Sequence, residues 1–232
     1  MDLTFEEYRT SRLLNIHRRV DGPWFWDKYS ASPYVGCRYG CEFCYCRGSK
    51  YGGMTDPAHF HSRIKVKINA VEQLKGELFG LPPEIITLGD WQQPAENRFQ
   101  LSRKLLKVAL EADFPVLILE RSPLVTRDLD LILEINARSW IGVLFSISSL
   151  DSDHKRYFEP WAPSVRKRLE AMQVLSDAGV LTGTALMPII PIAGDDQDTL
   201  EQVIAATSDH GGRWVVAGGL SMQGVQADYT LK

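Results

Sequence analysis

The sequence predicts an α/β fold, in which the strands of a parallel sheet alternate with amphipathic helices. Short runs of β-branched and aliphatic residues recur along the chain, and the longer segments between them carry apolar residues every three or four positions. At 232 residues with 44% hydrophobic side chains, the chain is long enough for one sizeable core. We therefore expect a single domain over residues 1–232, with residues 1–30 as an extension that leads into the first strand.

Six strands and five intervening helices follow from this pattern. The predicted strands are Trp26–Pro33, Glu84–Gly89, Pro115–Arg121, Ile141–Ser148, Leu181–Ile189 and Arg213–Leu220. The predicted helices are Ala70–Phe79, Phe99–Ala112, Thr126–Ala137, Ser164–Ala178 and Asp198–Ser208. Gly179 favours an end for the fourth helix, because glycine readily takes the left-handed conformation of a C-cap. Asp128 favours the start of the third, because acidic residues complement the dipole at a helix N-terminus.

No closing helix is predicted after the last strand. Only Ser221–Gln226 remains as a candidate for a closing turn, so apolar surface around Trp214–Val216 is expected to be uncovered. Strands and helices in this alternation build either an open sheet or a barrel, and both architectures place ligands at the carboxyl ends of the strands. Polar residues that follow the predicted strands are therefore the expected functional residues.

Composition and charge narrow the function classes. The formal net charge of -3 gives no overall signature of nucleic-acid binding, although Arg166–Arg168 forms a local basic cluster. No apolar run approaches the roughly 20 residues that a membrane-spanning helix needs, so no membrane association is expected. The chain starts without an apolar signal segment, and its four cysteines lie within ten residues, which favours a cytoplasmic, reducing location.

Three of these cysteines have the spacing of a metal-binding loop. Cys37 and Cys41 are separated by three residues, and Cys41 and Cys44 by two. Soft thiolates are the preferred ligands of iron–sulfur clusters, and three of them would leave one iron of a 4Fe-4S cluster open to a small molecule. A zinc site completed by Cys46 and a histidine, His59 or His61, is the alternative reading. A disulfide framework fits the crowded spacing less well.

The loop resembles the Cys-x3-Cys-x2-Cys motif of the radical S-adenosyl-L-methionine (SAM) superfamily, with Phe43 just before the last cysteine. Other segments are similar, in the same order, to motifs of the spore photoproduct lyase-like (DNA repair photolyase-like) group of that superfamily. These segments are Ser32–Cys37, Asp90–Glu96, Arg121–Asp128, Ser146–Ser148, Glu159–Pro163 and Pro188–Pro191.

The resemblance implies a partial (β/α)6 TIM-like barrel of the radical SAM type. It further implies a lyase-like enzyme that holds a 4Fe-4S cluster on Cys37, Cys41 and Cys44 and SAM on the open iron. An external reductant such as flavodoxin or ferredoxin would reduce the cluster, and SAM would be cleaved to a 5′-deoxyadenosyl radical that abstracts a hydrogen atom. The implied cofactor-binding residues are Tyr34, Phe43 at the adenine, Tyr45, Arg121 at the carboxylate, Ser146, Ser148, Glu159 and Arg168.

The resemblance also implies a substrate cavity and leaves the role of one residue pair open. The residues that would line this cavity are Asp90, Gln93 and Glu96. Glu159 and Arg168 could instead form an ion pair between a loop and the helix that begins near Ser164.

The substrate implied by the resemblance is a nucleobase lesion in DNA, but two departures from the group's pattern weaken that implication. Arg121 stands where the group usually has a lysine, and no cysteine after Cys46 could serve as the group's hydrogen-atom donor. Cys46 itself is expected to be a small buried filler. A peptide or small-molecule substrate, or a non-catalytic electron-transfer protein, are the alternatives, and the oligomeric state is left open.

Overall fold

The computed structural model describes residues 2–18, 27–48, 57–89, 92–222 and 224–231. Its strands are β1 (Thr4–Tyr8), β2 (Leu14–Ile16), β3 (Tyr29–Ala31), β4 (Tyr34–Val35), β5 (Arg63–Lys67), β6 (Ile86–Gly89), β7 (Val116–Glu120), β8 (Ile141–Ser146), β9 (Leu181–Ile189) and β10 (Trp214–Gly219). Its α-helices are α1 (Ala70–Leu78), α2 (Glu96–Phe99), α3 (Leu101–Glu111), α4 (Leu129–Arg138), α5 (Ser152–Phe158), α6 (Val165–Asp177), α7 (Gln197–Asp209) and α8 (Gly224–Thr230). Short 3-10 helices cover Tyr45–Arg47, Pro57–His59 and Pro123–Asp128.

The main sheet confirms the predicted α/β fold. Seven strands lie in the order β10-β9-β8-β7-β6-β3-β2, and each neighbouring pair is parallel except β2 and β3. The six parallel strands are the six that the sequence predicts, although the first is shorter than predicted and Trp26 lies outside the described residues. Helices connect the successive strands from β6 to β10, so all six carboxyl ends meet at one edge, as in a partial (β/α)6 barrel.

The helix boundaries follow from local sequence signals. Ser164 accepts a hydrogen bond from the Lys167 amide and caps α6, and Asp196 caps α7 in the same way through the Thr199 amide. Gly179 has a φ of +84° just after α6, as predicted for a C-cap. The predicted helix Thr126–Ala137 is a 3-10 helix up to Asp128 and an α-helix only from Leu129.

The N-terminal extension is more structured than predicted. β1 pairs in parallel with β5, and β4 pairs with β5 in antiparallel orientation to complete a second, three-stranded sheet. β2 adds an antiparallel edge to the main sheet. Short charged strands such as Thr4–Tyr8 give a weak local signal, because partners far along the chain stabilise them.

The prediction that no helix follows the last strand is wrong. α8 follows β10, and its Gln226 and Thr230 side chains donate hydrogen bonds to the carbonyls of Phe43 and Glu42. In the region around Trp214–Val216, Val216 is buried and its two predecessors are half-buried, so this surface is partly covered. Trp214 packs over Gly183, where a Cβ atom would come within 2.4 Å of it.

The core has two layers, one on each face of the main sheet. Alternate side chains of each strand point to opposite faces. One set, including Ile86, Val116 and Val143, packs with the helices in the larger cluster. The other set, including Leu117, Leu144 and Ala185, lines the concave face of the partial barrel.

Among the described residues, no helix is both long enough and apolar enough to span a membrane.

Candidate functional site

The cysteine loop runs from β4 to the 3-10 helix Tyr45–Arg47 and depends on two glycines in the left-handed region. Gly36 has a φ of +86° and Gly40 a φ of +58°. A Cβ atom at Gly40 would lie 2.7 Å from the Trp161 ring. The loop therefore needs glycine at this position both for its turn and for the close approach of Trp161.

All four cysteines line one cavity of about 550 Å³ beside this loop. Cys41 is buried and the other three are half-buried, and none forms a disulfide. Cys46 is therefore not the buried filler expected from the sequence, since it is half-buried and contributes to the cavity wall. The structure places the three predicted ligands on the wall of one cavity, as their spacing on one short loop requires.

These cysteines fit an iron–sulfur cluster in the chemistry of their side chains. They are soft donors that share one cavity. Burial raises the pKa of the Cys41 thiol to about 12, and the Arg121 guanidinium nearby opposes this shift only in part. Binding to iron would deprotonate the thiol and remove that cost.

The zinc alternative gains no support from the described side chains. His61 stacks on Trp161 with ring centroids 4.2 Å apart, and it lies outside the residues that line the cavity. In the described ranges, no three His, Cys, Asp or Glu side chains converge on a position for a single metal ion.

Arg47 holds the loop in shape and was not predicted. Its side chain is fully buried, and its guanidinium donates to the Gly40 carbonyl at 2.6 Å and the Cys41 carbonyl at 2.9 Å. The ring of Tyr229 in α8 lies 4.2 Å from this guanidinium. Nothing in the local sequence distinguishes such an arginine from a surface arginine, because its acceptors are main-chain carbonyls.

Gln93 lines the cavity, as predicted, but both atoms of its amide are bound to the cysteine loop. Its Oε1 accepts a hydrogen bond from the Arg38 amide at 3.0 Å, and its Nε2 donates to the Gly36 carbonyl at 3.1 Å. Gln93 therefore positions the loop from the segment that follows β6. The neighbouring Asp90 lies outside the described residues.

Glu96 was predicted to line the cavity but does not, because its carboxylate is fully buried at the start of α2. It accepts hydrogen bonds from the Tyr34 hydroxyl and from the Ser102 amide and hydroxyl, and it pairs with Arg127 at 3.1 Å. Every described partner of this carboxylate is internal. Glu96 is thus a structural group behind Tyr34.

Arg121 lies at the carboxyl end of β7 and lines the cavity. Its Nε is 3.5 Å from Glu159 Oε1, and its guanidinium lies 5.6 Å from the centroid of the Phe43 ring. A cation here, beside the cysteine loop, could bind a carboxylate. Its role at the cofactor carboxylate stays a prediction.

Glu159 and Arg168 form a buried ion pair, which is the alternative role expected for them from the sequence. Arg168 is fully buried, and it also donates to the carbonyls of Ser146 and Pro163. Burial acts to raise the pKa of Glu159, but Arg168 and Arg121 outweigh it, so the net pKa is lowered. These contacts make the pair a brace for the strand end that carries Ser146.

The remaining predicted cofactor residues divide between the cavity wall and the packing behind it. Tyr34 and Tyr45 line the cavity. Phe43 is buried against Tyr39, Cys41 and Ile190, and the Ser146 hydroxyl donates to the Met187 carbonyl at 3.0 Å. The buried Ser148 hydroxyl has no hydrogen-bond partner in the described structure.

Several polar side chains of the cavity were not predicted at all. Their sequence signal is weak, because single polar residues at strand ends and on short strands are common. They are Asn15, His17, Asp27, Ser30, Lys67 and Thr87.

Known proteins match this chain in sequence, over the segment that contains the cysteine loop, and in fold. A sequence model of the Radical SAM superfamily matches residues 31–203. An uncharacterized protein of Methanocaldococcus jannaschii is 30% identical over 184 residues, which are 78% of this chain and 66% of the relative. An uncharacterized protein of Mycobacterium tuberculosis is 27% identical over 203 residues, which are 85% of this chain and 60% of the relative. The chain thus spans less than two thirds of the length of these relatives.

Solved structures show the same fold at low sequence identity. A variant of spore photoproduct lyase with bound AdoMet and dinucleoside spore photoproduct matches with a TM-score of 0.68 and 17% identity, over 98% of this chain and 65% of that chain. Methylornithine synthase matches with a TM-score of 0.55 and 15% identity, over 83% and 52% of the two chains. The family match covers well over half of the chain and includes the cysteine loop and strands β6 to β9 of the parallel sheet. The chain belongs to the radical SAM superfamily.

Proposed function

We propose that this chain binds a 4Fe-4S cluster through Cys37, Cys41 and Cys44 and cleaves SAM to form a 5′-deoxyadenosyl radical. The observation that carries this proposal is the opening of the three thiols onto one cavity that also contains Arg121. When bound, the cluster would supply the electron that breaks the sulfonium of SAM, after reduction by a cytoplasmic carrier such as flavodoxin or ferredoxin.

The residues of this chain would bind and orient SAM. Arg121 would hold its carboxylate through charge-assisted hydrogen bonds, and the Glu159 carboxylate at 3.5 Å would fix the guanidinium in turn. Arg47 and Gln93 would keep the thiols in place, because each bonds to main-chain atoms of the loop. The aromatic rings of Tyr34 and Tyr45 would form part of the cavity wall around the cofactor.

A nucleobase lesion in DNA, on which the chain would carry out a lyase-like reaction, is the first substrate class to test. Its support is a shallow groove of about 630 Å³ beside the cavity, lined in part by Tyr39, Trp161 and Lys167. Trp161 is 44% exposed, and aromatic rings together with cations bind single-stranded nucleic acid by stacking and charge. Oligonucleotides with thymine dimers are the substrates for this test.

The ligand assignment predicts different outcomes for two cysteines of the same cavity. Cys41→Ala should abolish cluster assembly and SAM cleavage, because three thiolates hold the cluster. Cys46→Ala is the matched control and should retain both. The measurements are iron and sulfide content after anaerobic reconstitution, and 5′-deoxyadenosine formed with dithionite and SAM, detected by chromatography with mass detection.

Either of two results contradicts the proposal. Loss of the cluster in Cys46→Ala would make Cys46 a fourth ligand and favour the electron-transfer alternative. A wild-type chain that assembles the cluster but leaves SAM intact with every candidate substrate would exclude SAM cleavage as its activity.

A further inference from the structure

The end of the cavity opposite the cysteine loop has a polar wall of its own. Asp27 lies just before β3, at the amino end of that strand, and the cysteine loop begins beyond its carboxyl end. At 3.3 Å per residue, the two ends are on the order of 15 Å apart. The polar side chains that line the cavity near Asp27 are Asn15, His17, Ser30 and Thr87.

Asp27 is a buried carboxylate that faces the Thr87 hydroxyl and the His17 imidazole. The residue is 1% exposed, and neither carboxylate oxygen accepts a hydrogen bond in the described structure. His17 Nε2 lies 3.8 Å away and is closer to Ser30 Oγ, at 2.9 Å. The Thr87 hydroxyl interacts with the carboxylate and acts to lower its pKa, without reaching the geometry of a full hydrogen bond.

Burying such a carboxylate costs free energy unless a ligand supplies the hydrogen-bond donors that the protein does not provide. Burial raises the pKa of Asp27, because the charged form has lost its hydration. Native proteins pair nearly all buried polar groups. A buried carboxylate on a cavity wall whose oxygens accept no full hydrogen bond therefore indicates a ligand with N–H donors.

The charges of the cavity are separated along its length. Lys67 lies at the cysteine-loop end, where its Nζ donates to the Ser32 carbonyl at 2.8 Å, and Arg121 lies at the carboxyl end of β7. Both cations would face the carboxylate of SAM. Asp27 lies at the other end, and the apolar side chain of Leu119 also lines the wall.

We propose that Asp27 binds a cationic nitrogen group of a small-molecule substrate, an amine, amidine or guanidine, at the end of the cavity opposite the cysteine loop. The proposal rests on the proposed function, because the substrate would share the cavity with SAM. The cavity volume of about 550 Å³ suits small ligands. A cationic small molecule is thus the specific form that this proposal gives to the small-molecule alternative to a DNA lesion.

Isothermal titration of the cluster-loaded, SAM-bound protein with benzamidine and benzamide tests the proposal. The two probes have nearly the same shape, and only benzamidine carries a cationic group with paired N–H donors. The wild type should bind benzamidine at least about tenfold more tightly than benzamide. Asp27→Asn should remove that difference, and Asp198→Asn, a change of an exposed acid on α7, should preserve it.

Three results would overturn the proposal. They are equal binding of the two probes by the wild type, absence of benzamidine binding at millimolar concentration, and unchanged benzamidine binding by Asp27→Asn. The first two use only the wild type, so the test does not depend on the folding of a variant. The titration also involves no turnover, so a failure of SAM cleavage would be recognised separately, as missing 5′-deoxyadenosine.

Discussion

Arg121 and Arg168 share the Glu159 carboxylate, yet their positions give them different tasks. Arg168 is fully buried, and its described partners are internal. Arg121 reaches the cavity wall. The Glu159 carboxylate thus pairs with Arg168, which holds the strand ends together. It also pairs with Arg121, which would bind the proposed cofactor.

At the residue scale, Arg121→Ala should weaken SAM binding by about tenfold or more, because a charge-assisted hydrogen bond to the SAM carboxylate is lost. The cluster should remain, since Arg121 is not a ligand. Equilibrium dialysis with SAM and the iron content of the same sample are the measurements.

Arg166→Ala is the matched control for Arg121→Ala. Arg166 is exposed on α6 and pairs with Glu170, so its loss should leave SAM affinity unchanged. Unchanged affinity in Arg121→Ala itself would remove Arg121 from the cofactor site.

At the scale of elements, the cysteine loop is irregular and is fixed by the segments around it. The Cys37 amide donates to the Phe60 carbonyl at 3.0 Å, and the Glu42 amide donates to the Phe158 carbonyl at 2.9 Å. Trp161 occupies the space beside Gly40 that a side chain would fill. The loop conformation therefore depends on packing that its own residues cannot supply.

Gly40→Ala should destabilise the loop by at least ~2 kcal/mol, from left-handed strain and the contact with Trp161. The cluster should assemble poorly, whereas the barrel should keep its circular dichroism spectrum. The iron content measures cluster assembly, and thermal unfolding measures the loss of stability.

Gly76→Ala is the control for Gly40→Ala. Gly76 lies in α1 with open space around it, so alanine should stabilise the chain by roughly 0.5–1 kcal/mol. Normal cluster content in Gly40→Ala would contradict the role given to Gly40.

At the scale of the whole molecule, the last helix reaches back to the cysteine loop. Gln226 is 1% exposed and donates to the Phe43 carbonyl, and Tyr229 packs on Arg47. Residues more than 180 positions apart are joined in this contact. The loop is thus supported by β4 on one side and by α8 on the other.

Gln226→Ala should accelerate loss of the cluster to a chelator, because the change leaves the buried Phe43 carbonyl without this donor, at a cost of about 1–3 kcal/mol. The unfolding temperature of the barrel should change little. Gln197→Ala, which removes an exposed glutamine that bonds to Glu201 on α7, is the control. Equal rates of iron release from both variants would show that α8 does not support the loop.

The sequence by itself determined the alternation of six parallel strands with helices, because each element carries its own hydrophobic period and end signals. It also determined the grouping of Cys37, Cys41 and Cys44, because three cysteines within eight residues must lie close together. Only the tertiary structure decided where the side chains of Glu96, Arg47, Asp27 and Gln226 lie and what they contact. These side chains contact main-chain carbonyls or distant side chains, or they line the cavity. Contacts between distant segments cannot be predicted from the local sequence.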